Sequence, residues 1–311
     1  MNIKTRLRVA YIIIITNAWI ATPQVFAAPI EICAEQSYPE GKIILAKVTD
    51  NSCSTKLKIV LDDPSPGVVA CKNFQRGFSL ITPHVPTGFV ISNVTHSNSC
   101  GTKVLDNAIT LDTPYNGQQI CSFYLSGSTY FAPPLPDGFR PTENGYSGAC
   151  EDRSGFKNSI ILGAVQHQLE YCAAYLAAPS GSLLIPHVPT GYVVSSTDWN
   201  PRCGAGDGKT VVIAQPDLVS EACPYYSVGL SNFAPTLPTN IVVTRFYNER
   251  VRCDGTAISI DRPYSGQEMC LSYPGSPFTR IYPPIPDGFT VISRRQTWKC
   301  GSGNNTGKIV N

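Results

Sequence analysis

Apolar residues in this chain come in short runs, and proline or glycine interrupts each run before a long helical period can build. Phe89-Val90-Ile91, Tyr192-Val193-Val194, Ile241-Val242-Val243 and Phe289-Thr290-Val291 each follow a Pro-x-Gly or Pro-x-Asn turn. Extended runs precede the turns as well, as in Phe78-Ser79-Leu80-Ile81 and Leu183-Leu184-Ile185. Short β-branched and aromatic runs bounded by turn residues read as strands. The turn chemistry predicts a hairpin: proline sets φ at the first corner of a type I turn, and a left-handed glycine closes the loop. Asn240 suits the same slot, because asparagine tolerates that conformation. Gln166 to Tyr175 is the one stretch that reads as one or two helical turns.

The turns repeat. Pro-x-Gly stands at Pro39, Pro86, Pro136, Pro189 and Pro286, and in each case a cysteine lies twelve residues beyond the glycine: Cys53, Cys100, Cys150, Cys203 and Cys300. A sixth copy has Asn240 in the glycine slot and Cys253 thirteen residues on. Another cysteine precedes each turn: Cys33, Cys71, Cys121, Cys172, Cys223 and Cys270. Five of these carry an aromatic three residues later (Phe74, Tyr124, Tyr175, Tyr226, Tyr273), whereas the first copy has Gln36. A third strand follows the second cysteine, at Leu57 to Leu61, Ala108 to Leu111, Ile160 to Leu162, Val211 to Ile213 and Ala257 to Ile260. The prediction is an all-β chain of six tandem disulfide-clamped β-hairpin units of about 47 residues.

The composite pattern Cys-x-x-Tyr, Pro-x-Gly-Tyr/Phe-x-Val, Cys-Gly resembles tandem repeats of uncharacterised secreted bacterial proteins. The resemblance covers nearly all of the chain after its leader and implies no activity.

Pairing follows from hairpin geometry, since residues facing each other across a hairpin share a constant index sum. In units two to six the sum of the two cysteines falls within five of the value set by the turn centre. A bulge absorbs that offset. Cys71–Cys100, Cys121–Cys150, Cys172–Cys203, Cys223–Cys253 and Cys270–Cys300 are thus the expected pairs, with Cys33–Cys53 by analogy. The rival joins the second cysteine of one unit to the first of the next. At the next level, Pro114-Tyr115-Asn116-Gly117-Gln118 before Cys121 and Pro263-Tyr264-Ser265-Gly266-Gln267 before Cys270 point to a duplicated three-unit block. That favours two halves, residues 28–171 and 172–311, with β-trefoils as one way to fold them. A closed six-unit propeller-like ring, in which Ile30–Ile32 meets Gly307–Val310, is the alternative. Six small independent domains are the simplest reading.

The chain has 311 residues and 12 cysteines. Residues 1–27 read as a signal peptide: Lys4, Arg6 and Arg8, then an apolar stretch from Val9 to Ala21, then Val25-Phe26-Ala27. An exported chain with an even cysteine count points to disulfides rather than metal. Secretion, the periplasm or the cell surface is the expected destination, with no membrane span after leader cleavage. Without the leader the charge is 21 basic against 22 acidic residues, so nucleic-acid binding gains no support from charge.

Catalytic patterns are missing. His84 and His187 share one repeat position before a turn, and His96 and His167 stand alone. No zinc spacing, nucleophile elbow or cofactor motif occurs. Gly204-Ala205-Gly206-Asp207-Gly208 reads as a loop, and Asp62-Asp63 and Glu151-Asp152 as solvated turn neighbours. The aromatics carry more information. Trp199 and Trp298 lie just before second cysteines, Tyr192 follows a turn glycine, and Arg294 and Arg295 stand near Trp298. Exposed rings at such places stack on sugar faces or anchor a protein partner. These five residues are the candidate ligand-binding set of a non-catalytic binding or adhesion-type repeat protein, its ligand a glycan or a protein. The rivals are a structural component of an envelope or appendage, and a secreted hydrolase or hydrolase inhibitor.

Overall fold

The structure, a computed structural model, describes residues 28–101, 107–150, 157–204, 208–249, 251–276, 279–301 and 304–311. The expected leader, Glu151-Asp152, Arg250 and the centre of the 204–208 loop lie outside these residues.

Each unit is built on a three-stranded antiparallel sheet with the same order. In unit two a lead strand, Val68–Cys71, ends at the first cysteine. A two-stranded ribbon, Phe74–Arg76 and Ser79–Ile81, follows and pairs only with itself. The long strand Val90–Thr95 then runs to a 3-10 turn, Asn98–Cys100, that ends at the second cysteine. The central strand Ala108–Asp112 lies between the lead and long strands and bonds to both. Units three to six repeat these strands around central strands Ser159–Ala164, Lys209–Ala214, Gly255–Asp261 and Asn304–Val310, and units four and six repeat the 3-10 turn as well. Unit one has the sheet (Ile30–Cys33, Leu57–Asp62, Ile43–Thr49) but no ribbon, in keeping with its short lead.

The Pro-x-Gly turn therefore does not close a hairpin. It carries the chain from the ribbon to the long strand of the sheet. The reason lies in the upstream leg: Pro83 and Pro86, like Pro133, Pro134 and Pro136, have no N–H to give a ladder. The Phe89 N–H donates to the Pro86 carbonyl at 3.1 Å, so the proline occupies the first turn position rather than the second. Gly88 is third, with φ +84°, where a type II turn demands positive φ. Asn240 does not adopt positive φ; among the described non-glycine residues only Lys56 and Gln168 do. The helical turns expected within Gln166 to Tyr175 are instead the lead strand Leu169–Cys172 and the start of a ribbon strand, Tyr175–Leu176.

All six disulfides join the expected cysteines, five pairs taken from the index sums and Cys33–Cys53 taken by analogy, which excludes the pairing between units. Their setting differs from a clamped hairpin. Cys71 ends one edge strand and Cys100 follows the other, so the bridge arches past the start of the central strand. Ala108 sits there, opposite both Cys71 and Thr95. The residue opposite the first cysteine is also small at Ser159, Thr210 and Thr306, which leaves room for the arch. Every long strand carries a bulge two or three residues into its pairing, as between Ile91 and Asn93 or between Pro141 and Glu143. The bulge turns Ile91 and Val94 to one face, because their partners Leu111 and Ile109 are two residues apart.

The core is shared between neighbours. Ile44, Ile59 and Leu61 of unit one pack against Cys71, Cys100 and Phe74 of unit two. Ile91, Ile109 and Leu111 of unit two pack against Cys121, Cys150 and Tyr124 of unit three. The same relation joins units four and five through Tyr226, and units five and six through Tyr273. From unit two on, each disulfide and its following ring thus cover the sheet of the unit before, so the units are not independent domains. Units three and four meet in this way too: Asn144 Nδ2 donates to the Ala174 and Cys203 carbonyls at 3.0 and 2.6 Å. The sheets are open, which sets aside trefoils and the closed ring. Ile30–Cys33 pairs with Leu57–Asp62 of its own unit, and Asn304–Val310 has both neighbours within unit six, so neither end lacks a strand.

Candidate functional site

The junction of units four and five opens into a groove of about 750 Å³. Its wall begins with the long strand Val193–Trp199, whose bulge lies between Val194 and Ser196. Thr197 and Trp199 follow in the sequence, and Trp199 pairs across the sheet with Lys209. The chain then leaves the strand, because Asn200 caps a 3-10 turn by accepting from the Arg202 N–H at 3.0 Å. Trp199 is stranded at this corner with 63 % of its surface exposed. Gly208 lies under its indole: a Cβ there would stand 2.7 Å from Trp199 Nε1.

Unit five supplies the opposite wall, Ser227, Gly229, Val251, Cys253, Asp254 and Gly255. Asp254 ties the two units together. One carboxylate oxygen accepts from Lys209 Nζ and, at 3.1 Å, from Thr197 Oγ1. The other accepts from the Ser227 N–H at 2.8 Å. The Thr197 N–H also donates to the Arg252 carbonyl at 2.6 Å. With both oxygens so engaged, Asp254 holds the geometry of the junction. Asp198 also lines the groove and takes the Trp199 N–H on one oxygen at 2.8 Å, with its side chain toward solvent. The arrangement offers one indole face, carboxylate, ammonium and hydroxyl groups, and open access. That suits a polar ligand with a flat apolar face.

Searches against protein-family models, curated proteins and solved structures return no match.

Of the five residues expected to bind ligand, the groove holds Trp199 alone. Tyr192 is half-buried against the core around Val194, Val211 and Ile213. Trp298 is 82 % exposed on the 3-10 turn of unit six, two residues before its cysteine, whereas Trp199 is four before. The two tryptophans are thus not equivalent positions. Arg294 and Arg295 lie on the long strand of unit six. Arg295 pairs with Glu268 at 2.8 Å, and on unit five Arg252 pairs with Glu221. The Tyr247 hydroxyl and the Arg252 guanidinium hold the Glu221 carboxyl below its usual range. His84 and His187 are exposed before their turns. Among the described residues, Cys33, Glu35 and Cys53 come close enough to share a metal, but both sulfurs are in a disulfide and offer no thiolate.

Sequence reasoning missed Asp254, Lys209 and Ser227, which only the junction brings together. One signal was present. Glycine follows the second cysteine at Gly101, Gly204 and Gly301, and unit five has Asp254 there.

Proposed function

We propose that the chain is an exported, non-catalytic binding protein that takes a glycan in the groove at Trp199. The observation that carries this reading is an exposed indole fixed over Gly208 and flanked by polar groups in an open groove. Residues 1–27 read as a leader and the six disulfides fit an oxidising compartment, which supports secretion, the periplasm or the cell surface. No helix among the described residues is long and apolar enough to cross a membrane. The test is retention of the exported chain on a broad glycan array. Trp199→Ala should weaken retention by about ten-fold or more, as expected for an aromatic anchor. Trp298→Ala, outside the groove, should leave it intact. A blank array, or equal retention by Trp199→Ala, overturns the reading.

A further inference from the structure

Among the described residues no further unit packs on the outer faces of units one and six, and the two faces differ in a matched way. Inside the stack, a ring three residues after the first cysteine packs on the sheet of the preceding unit, as Tyr273 stacks on Phe246 with centroids 6.2 Å apart. Unit one has Gln36 in the ring position. Unit six lacks the apolar side chain that the ring would meet. Ile59, Ile109, Ile160, Val211 and Ile258 fill that place in units one to five, and Gly307 fills it in unit six. A Cβ on Gly307 would lie 3.0 Å from Leu271 and 2.7 Å from Val291, so those side chains already occupy the space. The head has lost its ring, and the tail has lost the seat for one.

Charge is matched as well. The position of Val94 and Thr197 donates its N–H to the carbonyl just before the next unit's second cysteine, Ala149 and Arg252 respectively. In unit six this position is Arg294, and it is exposed. The corresponding loop on unit one surrounds Cys53, and Glu35 is fixed on it by Ser54 and Thr55. Residues 28–63 carry six acidic and four basic groups, whereas residues 268–311, counted from the lead strand of unit six, carry five basic groups and two acidic.

We propose that copies of this chain stack head to tail, unit six of one copy seating on unit one of the next. The contact takes the place of the junction used five times within the chain, with Gln36 and Gly307 standing where a ring and its apolar seat meet inside the stack. Arg294 then meets the Cys53 loop and Glu35 of the second copy. The interface is heterologous, so it produces a filament, or a ring if its rotation closes. This proposal does not depend on the Trp199 groove.

Sedimentation velocity of the exported chain over rising concentration tests it. Species should grow beyond dimer, and should weaken as salt rises because opposite charges meet. Arg294→Glu and Glu35→Lys should each raise the concentration needed for assembly by about ten-fold or more, since each places like charges together. An equimolar mixture of the two variants should assemble again, because each then presents the charge that the other needs. Fold retention is checked by their melting curves. A strict monomer overturns the proposal and leaves unit six as a solubilising cap. A dimer that grows no further, assembly indifferent to salt or to both variants, or failure of the mixture of folded variants overturns it equally.

Discussion

Trp199 owes its place to small events in the backbone. The strand ends at Trp199, Asn200 starts a tight turn, and Gly208 passes beneath the ring with φ +72°. Gly208→Ala brings a methyl group onto the indole and strains a left-handed position. It should shift Trp199 fluorescence and weaken ligand retention nearly as much as Trp199→Ala, with the fold intact by melting curve. An unchanged spectrum would show that the ring is not held there. Glu35 gives a second residue-scale expectation. Hydrogen bonds from Thr55, from its own backbone and from Ser54 lower its carboxyl from 4.5 to about 2. A lowered folded-state value means that these bonds stabilise unit one above the ordinary carboxylate range and are lost as pH falls through about 2. A carbon NMR titration of Glu35 checks this, and a midpoint near 4.5 would contradict it. The tryptophan was legible as an unusual residue near a cysteine. Asp254 was not, because its meaning depends on Lys209 and Thr197, which belong to the preceding unit.

Strands and cross-links were readable at the scale of elements, while strand partnership was not. The index sums selected the right cysteines because one ends and the other follows the two strands that flank one central strand. The ribbon pairs with itself, so the intervening chain still doubles back. The prolines before each turn were visible and argue against a ladder there, but the turn signal of glycine outweighed them in the reading. A disulfide's value should depend on what it covers. Cys121–Cys150 closes a separation of 29 residues and packs into the core of unit two. Cys33–Cys53 closes 20 and has no unit before it to cover. Replacing Cys121 and Cys150 by alanine should cost more than the roughly 3 kcal/mol of loop closure alone. The same change at Cys33 and Cys53 should cost less. Thermal unfolding of the two double variants decides it, and equal losses would mean that packing across the junction adds nothing.

For the whole molecule, the repeat count and the three-unit echo were on the page of the sequence, whereas the way units meet was not. Nothing in a single unit's pattern announces that its disulfide is the lid of the unit before. That relation makes the fold close to one-dimensional, each unit stabilised by its own strands and by one junction on either side. Terminal units are where such an array must depart from the repeat, and Gln36, Arg294 and Gly307 are such departures.

Every cross-link begins and ends within one unit, at separations of 20 to 31 residues. The array can therefore gain or lose a whole unit without any cysteine needing a new partner. Length is a quantity that this architecture leaves free to vary while oxidative folding of each unit stays the same local problem.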